Sequence, residues 1–232
     1  MPRANQYFLP GQVWHIMHRC HKKEFLLKFA KDRNNWIKWL YEVKKRYGLC
    51  VLNYIVTSNH IHLLVKDTDK HSIPQSLQLI AGRTAQQYNQ RKNRKGAYWE
   101  DRYHATAIES DQHLFKCLVY IDLNMVRAGV IRHPSEWKQS GYHEIQSPHE
   151  RYAIIDINAL MNLGGFRNVM ALQQAHQEWI NEALSLEQGQ RQAYWSEGVA
   201  VGSEDYIEKI QHELGHRAIG RKNLEQDDLH VL

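Results

Sequence analysis

Apolar and polar positions in the first 130 residues switch between a period near two and a period near 3.6, and the switches mark out a series of elements. Residues 11–19 open on Gly11 and then alternate apolar and polar side chains, which predicts a first strand. Residues 24–47 carry Phe25, Phe29, Trp36, Leu40 and Val43 at mostly three- to four-residue intervals, with lysines and arginines between them. That pattern predicts an amphipathic helix, stopped at Gly48. Residues 49–57 are aliphatic and β-branched, Ser58 and Asn59 favour a turn, and residues 60–66 are strand-like again, so the two runs predict a hairpin. A second helix is expected over 73–89, an exposed basic loop over 91–96 and a fourth strand over 97–108. Asp111 would cap a third helix reaching Arg127, with Leu114, Cys117, Leu118, Ile121 and Val126 as its apolar stripe.

Strand, helix, strand, strand, helix, strand, helix is the order of an α+β protein with a ferredoxin-like antiparallel sheet and helices on one face. After Gly141 the pattern turns helical, near 157–163, 169–186 and 205–214. The chain therefore divides into a domain over 1–150 and a C-terminal helical extension over 151–232.

Composition narrows the class. The 232 residues are 43% hydrophobic, ordinary for a globular protein, and no apolar run approaches the ~20 residues that span a bilayer. The N-terminus lacks the charged-then-apolar order of a secretory signal, so a cytoplasmic, nucleoid-associated location is expected. Cys20, Cys50 and Cys117 are far apart and predict reduced, buried thiols. Charge is uneven: residues 1–150 hold 23 Lys+Arg against 13 Asp+Glu (+10), and residues 151–232 hold 7 against 12 (−5). A basic domain followed by an acidic extension suits a polyanion partner, although a solvated basic surface would look the same.

The candidate chemistry begins at His60-Ile61-His62. On a strand, both imidazoles project from one face and Ile61 from the other, which makes half of a metal site. An H-x-H pair alone is unspecific in a chain with 15 histidines. Tyr120 and Asn124, four residues apart on a predicted helix, have Cβ atoms ~5–6 Å apart and could bring a hydroxyl and an amide to the same place. The bland alternative is that Tyr120 packs in the stripe and Asn124 caps the helix.

Taken together, Ser58-Asn59-His60-Ile61-His62-Leu63-Leu64, Tyr98-Trp99-Glu100-Asp101-Arg102-Tyr103 and the segment Tyr120-Ile121-Asp122-Leu123-Asn124-Met125-Val126-Arg127-Ala128-Gly129-Val130 resemble a known family. It is that of the REP-associated tyrosine transposases, within the insertion-sequence 200-like transposases of the single-tyrosine HUH superfamily. The resemblance spans roughly residues 10–145. It implies that His60 and His62 are metal ligands, that Asn124 stands at the position of the third metal-binding side chain, and that Tyr120 is the nucleophile. Met125 departs from the proline common at that place, which bears on how the helix end presents Asn124.

The implied activity is metal-dependent cleavage and rejoining of single-stranded DNA at or near palindromic hairpins, through a 5′-phosphotyrosine. Mg²⁺ or Mn²⁺ would be the cofactor, the imidazoles tilting preference toward Mn²⁺. Arg91, Lys92, Arg94, Lys95, Arg102 and Arg127 are expected to hold phosphates, with Tyr98, Trp99 and Tyr103 stacking unpaired bases. Core packing of Trp99 and Tyr103 is the competing expectation. A monomer is favoured over a homodimer, because the extension could cover the surface on which related transposases pair.

Two other readings stay open. One is a domesticated hairpin-DNA binder with little cleavage activity, against which the intact His60, His62, Tyr120 and Asn124 argue. The other is a zinc hydrolase, built on the histidine pair or on His212-Glu213-Leu214-Gly215-His216, which fits H-E-x-x-H. Gly215 weakens that helix and no third histidine follows at the expected position.

Overall fold

Seven-residue strands β1 (Val13–Arg19), β2 (Cys50–Val56) and β3 (His60–Lys66) and the shorter β4 (His104–Ile108) form an antiparallel sheet. The computed structural model describes residues 8–69, 71–110, 112–186 and 192–215. β3 pairs with both β2 and β1, and β1 also pairs with β4. A two-residue strand, β5 (Ala200–Val201), adds in parallel to β4, so the order is β2-β3-β1-β4-β5. The first four strands have the ferredoxin-like arrangement expected from the sequence, and β5 comes from the C-terminal extension.

Helices α1 (Ala30–Tyr47) and α2 (Ser72–Lys92) pack against each other over one face of the sheet. Trp14, Ile16, Ile61, Leu63 and Val65 fill the space beneath and are at most 1% exposed. Gly48 closes α1 in the left-handed region, at φ 65°, with its N–H donating to the Lys44 carbonyl. The helix is six residues shorter at its start than the periodicity predicts. Lys22 and Lys23 adopt positive φ, and the Leu27 N–H donates to the Ser58 carbonyl, which ties residues 20–29 to the β2–β3 turn. Phe25 and Phe29, expected in the buried stripe, are 65% and 55% exposed. β4 is also shorter than predicted, because residues 97–103 form a loop whose only ladder contact is a bridge from Trp99 to Cys20.

The other face is covered by α3 (Gln112–Asp122), followed after one residue by α4 (Asn124–Arg127). The expected cap Asp111 lies outside the described residues. Short helices α5 (Tyr142–Gln146) and α6 (Ile157–Gly164) lead to α7 (Val169–Ser185), and α8 (Tyr194–Glu197) and α9 (Glu204–Leu214) flank β5. Leu160, Leu172, Trp195, Val201 and Ile210 of this region are buried in the same apolar cluster as Trp14 and Ile61. The described part of the extension therefore completes the core of the first domain.

A buried polar chain fixes α3. Asn53 on β2 donates from Nδ2 to the Leu118 carbonyl and to Asp122 Oδ1, and His176 Nε2 on α7 lies 2.8 Å from Asp122 Oδ2. Gly141 passes so close that a Cβ there would sit 2.3 Å from Asn53 Oδ1.

Candidate active site

Strand alternation aims His15, Met17 and Arg19 of β1 and His60, His62 and Leu64 of β3 at the α3 face, since Met17 pairs with His62 and Arg19 with His60. The two imidazole centroids lie 5.0 Å apart. Tyr120 comes down from α3, and its ring centroid is 5.9 Å from that of His62 and 6.0 Å from that of His15. The helix breaks at Leu123, yet Asn124 still reaches the strand and donates from Nδ2 to His62 Nε2 at 3.0 Å. Met17, Arg19, His60, His62, Tyr120, Asn124, Arg127 and Ala128 line one cleft of about 240 Å³.

The hydrogen bonds settle which imidazole nitrogens carry protons. The Trp195 carbonyl can only accept, so His15 donates to it from Nδ1 at 2.6 Å. Burial holds His15 down to about 4, so its ring is neutral and its Nε2 is an acceptor. His62 therefore donates from Nδ1 to His15 Nε2, 2.8 Å away. Burial, reinforced by the neighbouring His15 and His60 rings, also lowers His62 well below its usual range, and its Nε2 accepts from Asn124 Nδ2. His60 is oriented by a local route, donating from Nδ1 to Asn59 Oδ1 at 2.7 Å, with Thr57 Oγ1 at 3.0 Å.

Two imidazoles oriented through Nδ1 and lining one cleft are residue types that can serve a divalent cation. Rotating the Asn124 amide about its last bond would present an oxygen to the same place. Among the described residues, no group of three His, Cys, Asp or Glu side chains is placed to hold a metal.

Tyr120 is 6% exposed and boxed in. The Trp195 ring lies tilted at 5.8 Å, and the Arg127 guanidinium carbon stands 4.0 Å above the phenol ring centroid. Arg127 Nη2 also donates to the Tyr120 carbonyl at 2.6 Å. Burial lowers the Arg127 pKa, and contact with the Tyr120 phenol works the other way. Arg127, read from the sequence as a phosphate contact, is thus a neighbour of the nucleophile candidate. His15 and Trp195 were not legible as site residues, because their partners lie 47 and 180 residues away.

The remaining DNA-contact candidates do not join the cleft. Arg91 pairs with Asp32, and Arg94 donates to the Ala97 carbonyl and pairs with Glu24 at 3.5 Å. Lys92, Lys95 and Arg102 are exposed. Tyr98 is a core residue, 2% exposed, with its hydroxyl donating to the Leu26 carbonyl. Trp99 stacks on His18 at 4.1 Å and donates to the Ala81 carbonyl, and Tyr103 is stacked on Phe8 at 6.1 Å. Tyr98 is thus part of the core, whereas Trp99 and Tyr103 are half-buried against other rings. In the H-E-x-x-H stretch, α9 ends at Leu214 and His216 lies outside the described residues.

The sheet thus carries paired histidines, a tyrosine and an asparagine in one cleft. Residues 11–124 match the family model described as transposase IS200 like. Over those residues the chain is similar to the IS200-like transposases. A solved structure of a REP-associated tyrosine transposase bound to a REP hairpin shares the fold. Its TM-score is 0.52 at 18% identity, over 61% of this chain and 83% of that one. A Deinococcus radiodurans protein assigned as a transposase matches at TM-score 0.36 and 17% identity, over 44% of this chain and 82% of that one, below the level of a shared fold. No curated protein matches the chain in sequence. Among the described residues, no helix is long and apolar enough to cross a membrane.

Proposed function

We propose that this protein cuts and rejoins single-stranded DNA at or beside a palindromic hairpin, with Tyr120 as nucleophile and His60, His62 and Asn124 holding Mg²⁺ or Mn²⁺. The observation that carries the proposal is that His60, His62, Asn124 and Tyr120 line one cleft. A bound divalent cation supplies Lewis-acid polarisation of the scissile phosphate. Tyr120 Oη forms the new bond to phosphorus while the bond to the 3′ oxygen breaks, giving a 5′-phosphotyrosine and a free 3′ hydroxyl. Arg127, over the ring face, favours negative charge on the phenol as it attacks. The phosphodiester energy is kept in the adduct, so attack by a 3′ hydroxyl reverses the step and joins strands. Lys92, Lys95 and Arg102 hold the backbone outside the cleft.

Tyr120 faces the histidines of its own chain, which supports a monomer acting alone. The test is a labelled hairpin with a single-stranded tail, incubated with Mn²⁺ and run on a denaturing gel. A protein–DNA adduct is expected with the wild type, and none with Tyr120→Phe or in EDTA. Binding without an adduct would favour the domesticated hairpin binder, and a stoichiometric, chelator-resistant zinc would favour the hydrolase.

A further inference from the structure

The loop between β1 and α1 displays two aromatic rings outward. Phe25 is 65% exposed and Phe29 is 55% exposed, while the residues next to Phe25, Leu26 and Leu27, are 7% and 0% exposed. Leu27 N–H is bonded to Ser58, the Leu26 carbonyl accepts from Tyr98, and Asn59 Nδ2 donates to the Lys23 carbonyl. The inner side of the loop is therefore pinned, and the rings are held out from a fixed base. Single exposed apolar side chains are ordinary, but two large rings at one place mark a surface that meets something.

Their surroundings say what. Lys28 Nζ lies 6.0 Å and Lys92 Nζ 5.6 Å from the Phe29 ring centroid. Lys22, Lys23 and Lys31 are exposed nearby in the chain, and the acid of this loop, Glu24, is engaged by Arg94. Exposed rings set among free ammonium groups are how proteins hold unpaired nucleic acid, rings under bases and cations on phosphates. Of the aromatic residues that follow the basic loop after α2, Tyr98 is buried and Trp99 and Tyr103 are half-buried against other rings. Lys92 instead brings that loop to Phe29.

We infer that Phe25 and Phe29, with Lys28 and Lys92, form a stacking platform for the single-stranded segment flanking the hairpin. The inference rests on the DNA reading above. The platform lies at the end of the sheet where the candidate ligand His60 begins β3, since residues 20–29 wrap the Ser58–Asn59 turn.

The test compares fluorescence anisotropy titrations, at one salt concentration, of a blunt hairpin and of the same hairpin with a ten-thymidine tail. The wild type is expected to bind the tailed form more tightly. Phe25→Ala/Phe29→Ala is expected to weaken tailed binding about tenfold or more, from the stacking worth of a base on a ring, and to leave blunt binding unchanged. Phe25→Leu/Phe29→Leu keeps apolar surface without an aromatic face, and is expected to lose the tail preference equally. Equal tail preference in wild type and alanine variant would overturn the platform while the Tyr120 adduct still stood. Preference kept by the leucine variant would also overturn it, and would point to an apolar protein contact. Absence of binding to either DNA by the wild type would sink the DNA reading itself.

Discussion

Two lone pairs, on Nε2 of His60 and of His62, carry the chemistry proposed for the cleft, and each is set by what the opposite ring nitrogen touches. His60 relies on Asn59 and Thr57, its neighbours in the turn, whereas His62 relies on His15 and through it on the Trp195 carbonyl. A neutral imidazole free to exchange tautomers spends part of its time with the proton facing the metal. His15→Ala should therefore weaken Mn²⁺ binding about 10–100-fold, the usual scale for losing such a support. Titration calorimetry of the purified protein with Mn²⁺ reads this without any DNA. An affinity within twofold of wild type would show that His62 needs no relay.

Elements differ in how much of their fate is written locally. β3 and α3 could be read because a period of two and a period of 3.6 each continue for several residues, and the carriers His60, His62, Tyr120 and Asn124 fall on them. The start of α1 could not, because Phe25 and Phe29 satisfy the helical period while the loop is held by hydrogen bonds to the distant Ser58 turn. β5 is two residues long and is defined only by its pairing to Ala107 and Ile108, so no local pattern announces it. The same holds for the tie between α3 and α7: Asp122 and His176 are both 0% exposed in their side chains and meet across 54 positions. Leaving Asp122 buried without that imidazole should cost about 2–4 kcal/mol. His176→Leu is expected to lower the urea midpoint accordingly and to loosen α3, and an unchanged midpoint would mean that Asp122 finds another partner.

The molecule as a whole buries neutral imidazoles on both faces of its sheet. His15 and His18 are each pushed from the ordinary 6.5 to about 4, in both cases chiefly by burial. Between those values the unfolded chain takes up protons that the folded chain refuses, so stability is full above about pH 6.5 and falls as the pH drops toward 4. At about 1.4 kcal/mol per unit, each group accounts for roughly 3 kcal/mol at the lower end. Urea midpoints measured at pH 7.5, 6.0 and 5.0 should decline in that order, and a flat series would contradict neutral burial of these rings.

The bond between His15 and Trp195 spans 180 positions, which gives the cleft a place in time as well as in space. On a ribosome adding 5–20 residues per second, roughly 10–40 s separate the emergence of the two partners. Throughout that interval a nascent chain already holds His60, His62, Tyr120 and Asn124 but has no carbonyl to orient His15. Under the proposed function, the full metal affinity of the cleft then arrives only after Trp195 has been made, and a chain released early by a nonsense codon before residue 195 would lack the carbonyl that orients His15.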